Sequence, residues 1–186
     1  MYNKSEIYTL SNFLSFVRLL MAIPFWILIR NIDEPGMRTI LVVLAILGAI
    51  TDWADGFIAR KRNEVTELGK IIDPIADKIT IGAIIISLYF IGSIPEYYFY
   101  LIIGRDVLIF LGGLYVTKKI GRVLPSNMLG KIAVSAIGMV IILVLLDVNP
   151  VSLVYRFFYY TSIILIVISF FAYLYRAAEY IKKENN

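Results

Sequence analysis

The chain has 186 residues, 60% of them hydrophobic, with a formal net charge of +4, no cysteine and no histidine. A mean hydropathy of +0.80 excludes an ordinary soluble domain and assigns the chain to the membrane-embedded class. Disulfides, thiolate metal sites, thiol nucleophiles and phosphohistidine intermediates are excluded too, so any general base is a carboxylate, a lysine or a tyrosine.

The length fits a single domain over residues 1–186. Met1 to Glu6 lack a basic n-region and a small-residue cleavage site, so no removable signal peptide is expected. Tyr2 to Leu10 are mildly amphipathic and predict a short helix on the membrane surface. Six apolar segments of spanning length follow, at Thr9–Arg30, Arg38–Arg60, Lys70–Ile91, Tyr97–Thr117, Asn127–Leu146 and Val151–Tyr175. They predict an all-α integral membrane protein, a six-transmembrane-helix bundle. The first span opens with polar groups, Ser11, Asn12, Ser15 and Arg18, and Arg18 is placed to snorkel to the interface. Pro24 predicts a kink within it.

Lysines and arginines cluster in the second-to-third link (Lys61, Arg62), the fourth-to-fifth link (Lys118, Lys119, Arg122) and the tail (Lys182, Lys183). The third-to-fourth and fifth-to-sixth links have none, and the first-to-second link sets Asp33 and Glu34 beside Arg30 and Arg38. The positive-inside rule then puts both termini and the second-to-third link in the cytoplasm, in the cytoplasmic (inner) membrane. The positive net charge suits anionic lipids and phosphorylated substrates. With no continuous basic patch between the spans, no nucleic-acid partner is expected.

The link between the second and third spans is flanked by four aspartates, Asp52, Asp55, Asp73 and Asp77. On a helix, Asp52 and Asp55 lie about 60° apart and Asp73 and Asp77 about 40° apart, so each pair shares a face. A short polar link, Lys61 to Leu68, predicts an antiparallel hairpin with both pairs at one level. Four carboxylates beside hydrocarbon cannot all stay charged and unpaired. Either some are protonated or cations sit among them, and an all-oxygen ligand set suits Mg²⁺ or Mn²⁺. Gly56, Ala59 and Gly69 leave room for close approach of backbone or a bulky ligand, and Arg60 offers a cation to a phosphate. Together these residues form a phosphate-handling site.

The pattern Asp52-x2-Asp55-Gly56-x2-Ala59-Arg60-x8-Gly69-x3-Asp73-x3-Asp77 resembles the signature of the CDP-alcohol phosphotransferases (CDP-alcohol phosphatidyltransferases), and the hydropathy layout extends the likeness over nearly the whole chain. Within that family the chain is most similar to the bacterial phosphatidylglycerophosphate synthases. Asn12 to Arg18 resembles the family's Asn-x-Leu-Ser/Thr-x-x-Arg opening. The resemblance implies transfer of a phosphatidyl group from CDP-diacylglycerol to an alcohol, most expectedly sn-glycerol 3-phosphate, with release of CMP. It implies two divalent ions held by Asp52, Asp55, Asp73 and Asp77, with Asp77 also the choice for general base; ligand and base remain open for that residue. Asp55, Gly56, Ala59, Arg60 and Gly69 would receive the CDP-lipid, with Arg60 on the pyrophosphate. Direct in-line attack and a covalent aspartyl intermediate both stay open, with the former preferred.

Two further stretches carry polar residues within apolar helices. Arg105 and Asp106 read either as an ion pair that ties helices together or, from the resemblance, as a place where Arg105 receives an acceptor phosphate. Pro125-Ser126-x3-Gly130-Lys131 resembles the synthases' Pro-Ser-x-x-Gly-Lys stretch with one residue more before the glycine, with Lys131 as a second phosphate partner or a snorkelling lysine. Those synthases commonly continue with a further lysine and a threonine, whereas Ala133 and Val134 stand here. Alternative acceptors are phosphatidylglycerol, as in a cardiolipin synthase, inositol phosphate or serine. A divalent-cation carrier is the rival class, but its path has no use for Arg60, which would repel the ion. Family members are often homodimers, and Gly112, Gly113 and Gly138 suit close packing within or between subunits.

Overall fold

The computed structural model describes residues 10–62, 69–120 and 128–184, and the side chains over 12–51, 75–119 and 128–182. Within these residues the chain forms six α-helices and no strand: α1 (Leu10–Ile29), α2 (Met37–Arg62), α3 (Gly69–Phe90), α4 (Glu96–Ile120), α5 (Met128–Leu145) and α6 (Leu153–Glu184). Each expected span corresponds to one helix. The last differs most, because α6 continues nine residues past Tyr175 to Glu184. Hydropathy reads only the hydrocarbon-facing part, whereas the Arg-Ala-Ala-Glu continuation is built of strong helix formers. α1 passes through Pro24 as one helix. The surface helix expected over residues 2–10 lies outside the described residues except for Leu10, which opens α1.

Among the described residues, four helices are long and apolar enough to cross a membrane, over Asn12–Ile29, Glu96–Lys119, Met128–Leu145 and Leu153–Lys182. α2 contributes a shorter apolar stretch over its described side chains, Met37–Thr51. α3 carries Lys70, Asp73, Asp77 and Lys78 in its first half.

The chain divides into two compact units, Met1–Ser93 and Ile94–Asn186. In the first, α1 packs against both α2 and α3. Its buried positions Asn12, Ser15, Arg18, Ala22, Phe25 and Ile29 recur every three or four residues, the stripe of a helix with one packed face. α3 answers with Ala76, Thr80, Ile84, Ser87 and Leu88, a face whose small residues allow close approach. Thr80 Oγ1 donates to the Arg18 carbonyl at 2.8 Å, and further along Trp26 meets Phe90 edge-on with centroids 6.2 Å apart. Both numbers rise together, so α1 and α3 run parallel. α3 ends in a Schellman motif: Gly92 takes φ +76°, its N–H donates to Tyr89 O, and Ser93 N–H donates to Leu88 O at 2.9 Å.

In the second unit α6 packs against both α4 and α5. Tyr98 meets Ser162 (2.8 Å between hydroxyls), Arg105 meets Ser169, Gly112 meets Tyr173, and Val116 packs with Ala177. These contacts also advance together, so α4 and α6 are parallel. The buried α6 positions Tyr155, Tyr159, Ser162, Ile166 and Ser169 alternate spacings of four and three, the seam of a left-handed pair. Tyr159 donates its hydroxyl to Tyr97 at 2.6 Å and packs on Tyr98 and Tyr155, closing one end of this seam with aromatic rings. α5 ends in a second Schellman motif, with Asp147 at φ +57° and Val148 N–H bonded to Leu143 O. Ser152 then caps α6 by accepting the Tyr155 N–H at 3.2 Å.

Candidate functional site

The acidic motif occupies the facing ends of α2 and α3. Asp55 and Asp52 lie seven and ten residues before Arg62, about 10 and 15 Å of helix rise. Asp73 and Asp77 lie four and eight residues after Gly69, about 6 and 12 Å. Both pairs thus fall one to three turns from the ends that the link at 63–68 joins. The side chains of Asp52, Asp55, Gly56, Ala59, Arg60, Gly69 and Asp73, and the link itself, lie outside the described residues.

Asp77 is described, and its surroundings are informative. Arg18 Nη1 donates to Asp77 Oδ1 at 2.6 Å, a charge-assisted bond between α1 and α3. The arginine side chain is 7% exposed and the carboxylate 41% exposed. A guanidinium that snorkelled would leave its head in the interface; this one is buried against α3, so the snorkelling expectation is corrected. An intramembrane charge is tolerated when it faces the bundle interior and finds a partner, and Arg18 does both. Thr80, one turn after Asp77, holds the Arg18 backbone by the bond already described. Neither Arg18 nor Thr80 stood among the expected site residues. The signal was the spacing of Asn12, Ser15 and Arg18, three polar residues on one face of an apolar helix.

Arg105 lies in α4 with its side chain 10% exposed. Its Nη1 donates to Asp106 Oδ1 at 2.6 Å and its Nη2 to Ser169 Oγ at 3.2 Å, while its buried Nε has no hydrogen-bond partner among the described residues. Ser169 in turn donates to Ile166 O at 2.9 Å. The ion pair is therefore internal to α4, and the tie to α6 runs through the serine hydroxyl. Lys131 sits exposed on the first turn of α5, with no ion pair or hydrogen bond among the described residues. Ala133 is fully buried in the packing of α5, where an ammonium would be desolvated. Apart from these groups, an apolar groove of about 630 Å³ runs between α5 and α6, bounded by Met128, Leu129, Ile168, Phe171 and Arg176.

The donor set is compatible with hard divalent ions. Every candidate ligand is a carboxylate oxygen, and the one described carboxylate of the motif remains half-exposed beside Arg18.

Sequence comparison agrees with this picture. A family model for CDP-alcohol phosphatidyltransferase matches residues 8–176. The CDP-diacylglycerol–glycerol-3-phosphate 3-phosphatidyltransferase of Aquifex aeolicus is 32% identical over 179 residues, covering 93% of this chain and 98% of that protein. The protein of the same name from Rickettsia bellii is 43% identical over 100 residues, so the matched part spans only 55% of its length. A CMP-forming cardiolipin synthase from Rattus norvegicus is 38% identical over 120 residues, 64% of this chain and 37% of that protein.

Proposed function

The chain belongs to the CDP-alcohol phosphatidyltransferase family, and from that premise we propose that it transfers a phosphatidyl group from CDP-diacylglycerol to sn-glycerol 3-phosphate, releasing CMP. The observation that carries this reading is the complete aspartate motif in a chain similar to the Aquifex protein over almost its whole length. In this reading residues 1–186 act as one catalytic membrane domain with six spans, both termini in the cytoplasm, and the aspartate end facing the cytoplasm at the inner membrane.

Asp52, Asp55, Asp73 and Asp77 would hold two Mg²⁺ or Mn²⁺ ions, which when bound neutralise pyrophosphate charge. Gly56, Ala59 and Gly69 leave space for the cytidine and ribose, and Arg60 pairs with the pyrophosphate. The acceptor hydroxyl oxygen attacks the phosphatidyl phosphorus, the P–O bond to CMP breaks, and the hydroxyl proton passes to Asp77. The Arg18 contact holds that carboxylate in place, so it acts by position. Arg105 and Lys131 would receive the acceptor's phosphate.

Likeness to the rat cardiolipin synthase supports a second reading, with phosphatidylglycerol as acceptor. The test of both is CMP release by the purified protein from CDP-diacylglycerol with Mg²⁺ or Mn²⁺, across a panel of acceptors. Release that needs metal and glycerol 3-phosphate is the expected result. Release only with phosphatidylglycerol, inositol phosphate or serine moves the substrate, and no CMP with any acceptor overturns the reading.

A further inference from the structure

We propose that Arg18 is a positioning residue for the reaction: it orients the Asp77 carboxylate from α1, and Thr80 locks the arginine from the same turn of α3. This rests on the phosphatidyl-transfer reading above. Three observations converge on it. The guanidinium is buried and bonded to Asp77 Oδ1 at 2.6 Å, leaving a carboxylate that is still 41% exposed. The contact crosses between helices, so it fixes the carboxylate relative to α1 rather than relative to its own backbone alone. Thr80 Oγ1 bonds the Arg18 carbonyl at 2.8 Å, so α3 grips both the backbone and the head group of one α1 residue within a single turn.

The physical consequence concerns freedom. An aspartate on a helix surface can swing through several rotamers, and a carboxylate that must face an ion or a hydroxyl loses rate whenever it points elsewhere. One fork nitrogen of Arg18 removes that freedom by holding one carboxylate oxygen from a neighbouring helix. Lysine would supply the charge without the planar fork. α1 thereby belongs to the site although none of the motif aspartates lies on it.

The test uses the full-length purified protein, with Arg18→Gln, Arg18→Lys and, as a packing control, Leu88→Ala. Leu88 is fully buried on α3, eleven residues beyond Asp77, and its truncation lowers stability without touching the pair. Steady-state kinetics are measured per folded molecule, and Mn²⁺ binding is measured by electron paramagnetic resonance without substrates. Arg18→Gln is expected to lower kcat about 10- to 100-fold and to weaken Mn²⁺ binding about tenfold, the usual range for a group that orients a ligand. The KM for CDP-diacylglycerol stays within about threefold, because the donor contacts are untouched. Arg18→Lys recovers part of kcat, and Leu88→Ala lowers Tm while keeping kcat. In an Asp77→Asn background, Arg18→Gln has no further effect on Mn²⁺ binding.

Wild-type kcat and Mn²⁺ affinity in folded Arg18→Gln would overturn the proposal, as would a kcat loss matched by Leu88→Ala at equal Tm. Tighter Mn²⁺ binding in Arg18→Gln would overturn it as well, since the guanidinium would then be competing for the carboxylate. Should the wild-type protein release no CMP with any acceptor, the transfer reading falls. The Mn²⁺ arm then still decides whether Arg18 orients Asp77.

Discussion

The two units solve the same packing problem with different chemistry. In each, two parallel helices separated by one intervening helix meet along a seam, and each unit holds a helix that closes on a Schellman motif. In the first unit the ion pair crosses the seam, from Arg18 on α1 to Asp77 on α3. In the second the ion pair stays within α4, and the seam is closed by hydroxyls, tyrosine rings and the fit of Tyr173 over Gly112 and Gly113. A charge shared between helices fixes a reactive group relative to the bundle. A charge neutralised within one helix leaves the seam to be set by shape.

Breaking the first unit should therefore damage chemistry most. Asp77→Asn is expected to lower turnover about 10²- to 10⁴-fold, the range for loss of a general base, while CDP-diacylglycerol binding persists. Near-normal turnover would remove Asp77 from that role. In the second unit the effect should fall on the acceptor. Lys131→Ala is expected to raise the glycerol 3-phosphate KM about tenfold, as for loss of one charged hydrogen bond, and to leave the donor KM unchanged; equal effects on both would argue against phosphate recognition there.

The smaller effects concern stability and sharpen the contrast in shape. Gly92→Ala places a side chain at φ +76°, and thermal unfolding should register a loss of about 1 kcal/mol. Gly113 gives the smallest change and the most specific one. A Cβ there would come within 3.2 Å of the Tyr173 hydroxyl, a buried group without a hydrogen-bond partner among the described residues. Gly113→Ala should cost stability in the natural chain and add it in a Tyr173→Phe background, where helix propensity alone acts. The coupling, about 0.5–1 kcal/mol in a double-mutant cycle, would vanish if Tyr173 did not pack over α4.

Much of this architecture was legible in the sequence, and for identifiable reasons. Apolar runs marked every helix, because backbone groups in hydrocarbon must be satisfied within a segment. The run could not report where α6 ends, since Arg176 to Glu184 are helical for reasons of propensity and not of hydropathy. Nor could periodicity name partners: the three polar residues of α1 share a face by their spacing, but nothing local says that Asp77, 59 residues later, is what Arg18 meets. Arg105 illustrates the other side. An ion pair with Asp106 was one of two readings of its charge, and the pair forms within α4 instead of between helices, while Ser169, a common residue in an apolar helix, carried no mark of its tie to α4. The aspartate spacing named the family because that motif is local to one stretch of chain, whereas the contact from α1 is tertiary and left only an indirect trace.

The Arg18–Asp77 pair also constrains how the protein is made. Synthesis at about 5–20 residues per second separates the two by roughly 3–12 s over the 59 residues between them. During that interval α1 has left the ribosome carrying a guanidinium whose carboxylate does not yet exist. An arginine resists insertion by up to about 3 kcal/mol at the centre of a helix and less toward its end. Until the third helix arrives, the first carries that cost without the contact that offsets it in the folded unit.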